Sequence, residues 1–300
     1  DLVVSTMGRG FWVLDNIYSL QGFAIESNNE TKLFPIAETV RYRCPKVRKG
    51  GNAYVQFPNP GLIIDYQLES KPKGPIKLEI INSSRKTVTT ILSTASDKKQ
   101  KKEVIESMSL NQVYYQDDSR LKTEKGINRY VWNFRHNGTL FPKISKANKN
   151  GPLIVPGKYK VRLTVSGKQL EQSVNIIPDP RVLESGVSMD DLIAQEKLAL
   201  QIVDLMTEAN ELREILKRKR KAYLAKKKLS KADKEMEEIW EALMTKDGTY
   251  QKPMLKDQIS YLYYITTAAD QMPGKDVYDR FKELKIQLRS LKAKKSLAVN

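Results

Sequence analysis

Cysteine and histidine are nearly missing from this 300-residue chain, which holds one of each, Cys44 and His136. A lone thiol forms no internal disulfide framework and supplies no thiolate cluster for structural zinc. With one histidine, any Ser-His-Asp arrangement must use His136, and no Gly-x-Ser-x-Gly elbow supplies its serine. His136 stands between Trp132-Asn133-Phe134-Arg135 and Asn137-Gly138, where a strand pattern ends, so an exposed turn is its expected place. The phosphate loop Gly-x-x-x-x-Gly-Lys is missing, and no apolar run approaches the roughly 18 residues that span a membrane.

Paired carboxylates are lacking too. Glycoside hydrolysis needs two of them about 5 to 10 Å apart across the bond. Asp15, Asp65, Asp117, Asp118 and Glu124 are present, but their spacing pairs none of them, and surface or turn positions are expected for all five. No residue pattern predicts a metal site or a cofactor.

Acidic charge is outweighed throughout. Lys and Arg number 52 against 35 Asp and Glu, for a net charge of +17. The excess is diffuse, +12 up to Pro180 and +5 after it. Such a balance raises nucleic acid, acidic polysaccharide or an anionic surface as partners. The densest basic run is Lys217-Arg218-Lys219-Arg220-Lys221, with Lys226-Lys227-Lys228 behind it. Only Tyr223 interleaves an aromatic, and no nucleic-acid motif surrounds the run, so nucleic acid is not the expected partner. Glu235, Glu237, Glu238 and Glu241 can neutralise it across a helical hairpin, and a solvated helix tip is expected. If the run does meet an acidic polymer, Lys217, Arg218, Lys219 and Arg220 are the residues that hold it.

What is present is strong periodicity of two kinds. Asp1-Leu2-Val3-Val4-Ser5-Thr6 already reads as a strand, followed by Met7-Gly8-Arg9-Gly10 and a second apolar run, Phe11-Trp12-Val13-Leu14. Neighbours for these strands are expected upstream, in the manner of the tail of a larger protein. Residues 21–60 mix turn formers with short apolar pieces and read as an extended linker. From 61 to 180 the period is two. Leu62-Ile63-Ile64-Asp65-Tyr66, Ile76-Lys77-Leu78-Glu79-Ile80, Asn128 to Phe134 and Tyr159 to Val165 alternate as half-buried antiparallel strands, which predicts a β-sandwich. Tyr159, Val161, Leu163 and Val165 share one face, Lys160, Arg162 and Thr164 the other. Ser166-Gly167-Lys168 turns the chain into a partner strand ending at Ile176-Ile177. Trp132 and Tyr159 are expected in the core. Ala95 to Glu124 reads as a polar insertion, helical from Val104 to Met108, and Lys143 to Gly151 as a second loop.

After Pro178 the period becomes helical. Ser188 is a candidate N-cap, and Leu198, Ile202, Leu205, Ala209, Leu212 and Leu216 form a heptad seam on a helix of about 40 residues. Val277, Phe281, Leu284, Leu288 and Leu291 form a second seam, expected antiparallel to the first. Met236, Ile239, Trp240 and Leu243, then Leu255, Ile259 and Leu262, mark shorter helices between them. Residues 181–300 are therefore expected as a helical hairpin or small bundle. Tyr261 and Tyr264, three apart on one helix face, can stack on a sugar; packing against the sandwich is the simpler expectation.

Three stretches resemble one family. Thr6 to Asp15 resembles the last strands of the bacterial sortilin-type, Asp-box (BNR-like) β-propeller proteins, often labelled glycosyl hydrolases. Gly126 to Arg135 and Val155 to Leu163 are similar to that family's post-propeller, immunoglobulin-like sandwich. Asp257 to Tyr263, with Ala269-Asp270-Gln271 and Pro273-Gly274, is similar to its helical tail. The full Asp-box, Ser-x-Asp-x-Gly-x-x-Trp, is not met: Ser5 and Trp12 hold their places, but Met7 and Arg9 replace the Asp and the Gly.

The resemblance implies β and α in separate domains: propeller strands over 1–20, the linker, an immunoglobulin-like antiparallel sandwich over 61–180 and the helices. It implies an extracytoplasmic protein, secreted, periplasmic or tied to the outer membrane, in which this chain is a non-catalytic structural and binding module. Its partners would be the upstream propeller and then another protein or a polysaccharide. One alternative is the tail of a glycosidase-like hydrolase with its carboxylates in the propeller; a second is binding of an acidic polymer by the basic surface. In a propeller, the two glycines beside Arg9 let the backbone approach a ligand that the arginine can meet. The simpler expectation is a tight strand connection, its arginine paired with a neighbouring blade.

Overall fold

A computed structural model describes residues 1–8, 10–14, 16–19, 21, 29–43, 61–93, 120–138, 150–225 and 228–299. Arg9, Asp15, Cys44, Asp117, Asp118, most of the 95–124 insertion with its Val104–Met108 helix, and most of the 143–151 loop lie outside them. The chain is β plus α. It divides into two compact units, Asp1–His136 with Pro156–Arg181, and Asn137–Val155 with Val182–Asn300. Among the described residues no helix is long and apolar enough to cross a membrane.

The strands, in chain order, are β1 (Leu2–Thr6), β2 (Gly10–Leu14), β3 (Lys32–Leu33), β4 (Thr39–Arg41), β5 (Leu62–Leu68), β6 (Lys77–Asn82), β7 (Thr87–Leu92), β8 (Gly126–Trp132), β9 (Arg135–Asn137), β10 (Asn150–Leu153), β11 (Gly157–Val165) and β12 (Lys168–Pro178). In the first unit β4-β12-β11-β6-β7 form a five-stranded sheet and β3-β5-β8 a three-stranded one. Both are built by the alternation seen in the sequence: Leu78, Ile80, Val161 and Leu163 are fully buried from the first, Leu62, Ile64, Tyr66 and Leu68 from the second. Each such side chain contributes about 1.5–3 kcal/mol by leaving water. Trp132, 2% exposed, meets Tyr159 edge-on at 6.3 Å between ring centroids, so one core serves both sheets.

Within residues 29–43, which read as linker, β3 pairs with β5, and β4 joins the edge at β12 in parallel. All other strand pairs of these two sheets are antiparallel. The β11–β12 hairpin turns at Ser166 and Gly167, both left-handed at φ 48° and 85°, which matches the twist of the strands it joins. β8 stops at Trp132 rather than continuing through Phe134, because Phe134 is itself left-handed at φ 58° and is buried beside Trp132. His136 lies in β9, half-buried, and not in the exposed turn expected for it.

On the outer face of the three-stranded sheet, Asp65 and Arg129 stand directly opposite one another across β5 and β8. The guanidinium donates Nε to Oδ1 and Nη2 to Oδ2, each at 2.8 Å, and Nη2 also reaches the Asn16 carbonyl at 2.9 Å. Asp65 is 5% exposed.

The helices are α1 (Pro180–Glu184), α2 (Met189–Tyr223), α3 (Lys231–Leu243), α4 (Leu255–Thr267) and α5 (Lys275–Val299). α2 runs 35 residues from the expected N-cap, Ser188, whose hydroxyl accepts from the Asp191 amide while Asp191 accepts from the Ser188 amide. Ser230 and Asp233 repeat this reciprocal cap on α3, and losing such a cap costs about 1 kcal/mol. All six residues of the first seam are buried, as are Phe281, Leu284 and Leu288 of the second.

Directions within the bundle follow from contacts between its ends. Arg220 meets Glu237, so α3 folds back along α2. α4 begins beside the end of α3, where the Met254 amide donates to Thr245, and ends beside Gln195, whose buried amide donates to the carbonyls of Thr266 and Ala269. α3 and α4 thus lie end to end, both antiparallel to α2. α5 returns the other way, with Lys292 on Glu208. The second seam therefore runs parallel to the first, not antiparallel as expected, because two short helices fill the antiparallel place between them.

Candidate functional site

Side chains on the outer face of the five-stranded sheet alternate out of the core with those of β11, and the register brings three strands' worth of them together. Lys160 stands opposite Ser173, Arg162 opposite Glu171, and Lys158 opposite Asn175. With the β6–β7 turn they line an open depression of about 880 Å³ that includes Asn82, Ser83, Arg85 and Thr87. Four cations, Arg85, Lys158, Lys160 and Arg162, share it with one carboxylate, Glu171.

Glu171 accepts from Lys160 Nζ at 2.7 Å and from Arg162 Nε at 2.6 Å. The Lys160 ammonium, and then the Arg162 guanidinium, hold its carboxyl below the usual range, so it is charged at neutral pH. Two cations are thereby tied to one carboxylate on this face. At the rim, Arg85 closes a turn in which its own amide donates to the Asn82 carbonyl and the Lys86 amide to the Asn82 side chain. Arg85 is left-handed at φ 60°. Glycine or asparagine is the usual occupant of such a position.

The residues expected to bind from sequence fare differently. Arg9 lies outside the described residues, although Gly8 and Gly10 beside it are left-handed at φ 85° and 73° and connect β1 to β2. Lys217 and Arg218 are exposed on α2, and Lys219 is half-buried. Arg220 forms a bidentate pair with Glu237, at 2.9 Å from Nε and 2.8 Å from Nη2, and lies 5.1 Å over the Trp240 ring. The Tyr223 hydroxyl donates to the same carboxylate at 2.6 Å. This is a clamp between α2 and α3, so Arg220 is committed to the hairpin.

Glu237 sits below the usual carboxylate range, chiefly because Arg220 bonds it, while burial and then Glu237 raise the Tyr223 hydroxyl. A depressed carboxyl contributes stability that is present above the unfolded glutamate value and lost as pH falls through the folded one. Glu237→Gln is therefore expected to lower stability by roughly 1 kcal/mol at pH 7, allowing for the partial exposure of the pair. The same change is expected to cost almost nothing at pH 3. Thermal melting of both proteins at the two pH values checks this.

Tyr261 and Tyr264 stack on one another at 6.3 Å, tilted by 30°, and each is 65% exposed. Tyr263 between them is buried in the bundle core, at 9%. Arg85, Lys158 and Glu171 were not singled out by sequence. The alternation in β11 placed Lys160 and Arg162 on one face, but only the register adds the others to it. The chain matches no protein-family model, no curated protein and no solved structure at a significant level.

Proposed function

We propose that this chain is a non-catalytic, C-terminal structural and binding module of an extracytoplasmic β-propeller protein of the sortilin type. In this reading β1 and β2 belong to the last blade, the two-sheet unit is an immunoglobulin-like domain, and the helices form the tail. One observation carries it. β1 and β2 form a hairpin in which Leu2, Val4, Trp12 and Leu14 occupy one face and Val3, Phe11 and Val13 the other, all of them at least 44% exposed. Antiparallel sheets with one wet face alternate apolar and polar residues. A propeller blade is covered by a neighbour on each side, and apolar residues on both faces suit that place.

The reading is tested by amide exchange on the gene product with whatever sequence precedes Asp1, compared with this chain alone. Blade strands predict that the amides of Val3, Val4 and Val13 exchange at least about 100-fold more slowly in the longer protein, as covered sheet hydrogen bonds do. Equal exchange in the two, or a gene product that starts at Asp1, rejects the propeller.

A further inference from the structure

We propose that the outer face of the five-stranded sheet binds an acidic polysaccharide, with its carboxylate or sulfate groups held by Arg85, Lys158, Lys160 and Arg162. This goes beyond the module reading and stands whether or not β1 and β2 belong to a blade.

The chemistry of the lining suits such a ligand. An acidic sugar presents anions and hydroxyls in the same short repeat. The depression answers with four cations and, between them, the hydroxyls of Ser83, Thr87 and Ser173 and the amide of Asn82. Glu171 takes one hydrogen from Lys160 and one from Arg162. An ammonium has three donors and a guanidinium five, so both cations keep donors for a ligand while the carboxylate holds them extended.

The rim also accepts a conformational cost. Left-handed backbone is strained for a long side chain and is concentrated at ligand clamps and other functional positions. Arg85 occupies such a site in a tight turn that glycine would close with less strain, and it is one of the residues lining the depression.

Nucleic acid suits the face less well. Tyr159, the aromatic of the lining, is 8% exposed and offers no ring for base stacking.

The test is affinity electrophoresis of the full chain through gels containing polygalacturonate, heparin or neutral dextran, with duplex DNA as competitor. Retardation by the acidic glycans and not by dextran is expected, falling steeply with added salt. Arg85→Gly and Lys158→Gln are each expected to weaken it about threefold to tenfold, while the paired change Lys217→Gln and Arg218→Gln leaves it unaltered. Arg85→Gly is also expected to raise the melting temperature, which separates lost binding from lost folding; if it melts lower instead, the exposed Lys158→Gln decides alone. No retardation by either glycan, full binding by the Arg85→Gly, Lys158→Gln double variant, loss confined to the α2 variant, or tighter binding of DNA than of both glycans overturns the proposal.

Discussion

Replacing Arg129 by methionine is expected to destabilise the two-sheet unit by about 3 kcal/mol, the usual result of leaving a buried charge without its partner. Asp65 is 5% exposed, and both of its oxygens accept from this one guanidinium. Methionine keeps much of the aliphatic stem but supplies no donor, and the Asn16 carbonyl loses its hydrogen bond as well. Urea denaturation followed by tryptophan fluorescence gives the difference. The double variant Asp65→Leu with Arg129→Met is expected to recover most of the loss, since a matched apolar pair across two strands replaces a buried ion pair at little cost. A single variant as stable as the parent would show that water reaches Asp65 freely.

Gly61→Ala is expected to be as damaging, though it adds one methyl group. A Cβ at Gly61 would lie 2.5 Å from the Trp132 carbonyl oxygen and 2.7 Å from Val131 Cγ1. The first of these is backbone of β8 and cannot swing aside, so either the entry to β5 at Gly61 shifts or the pairing of Leu62 with Trp132 opens. Overpacking of this kind costs about 3 kcal/mol. Trp132 is nearly fully buried, so loss of its near-ultraviolet circular dichroism is expected to accompany the change. Gly74→Ala is the control: nothing lies within 4 Å of its added methyl, and its effect is expected to stay within about half a kcal/mol.

Periodicity made the elements legible where the burial pattern is local. Alternation in β5, β6 and β11 and the heptads of α2 and α5 each follow from which residues one element buries, so they stand in the sequence. Direction is another matter. A seam with steps of three and four looks the same to a parallel and an antiparallel partner, which is why the placement of α5 was misjudged. Pairing depends on distant residues: Thr39 to Arg41 adds to β12 in parallel through contacts that no local pattern encodes. The cationic face was half legible for the same reason. Lys160 and Arg162 lie on one strand, but Arg85 reaches them only through the register of β6 on β11 and a turn that lacks the glycine by which such turns are recognised. Phe134 and His136 were misplaced by one left-handed residue that ended β8 early.

The bundle is not the same material along its length. Lys292 meets Glu208, so α5, which ends seven residues later, stops opposite about residue 215 of α2 at 1.5 Å per residue. Beyond that level α2 and α3 have only each other among the described helices, and two helices bury one narrow seam. The chain closes that end with Arg220, Glu237, Tyr223 and Trp240, an ionic and aromatic clasp, where the other end has Leu198, Ile202 and Ile259 sealed from water. Ionic strength therefore acts on the partly exposed clasp more than on the apolar seam at the other end. Heat works in the opposite sense, because dehydrating charges becomes cheaper as temperature rises. A single bundle thus answers to two sets of solution conditions, and the boundary between them lies where α5 runs out.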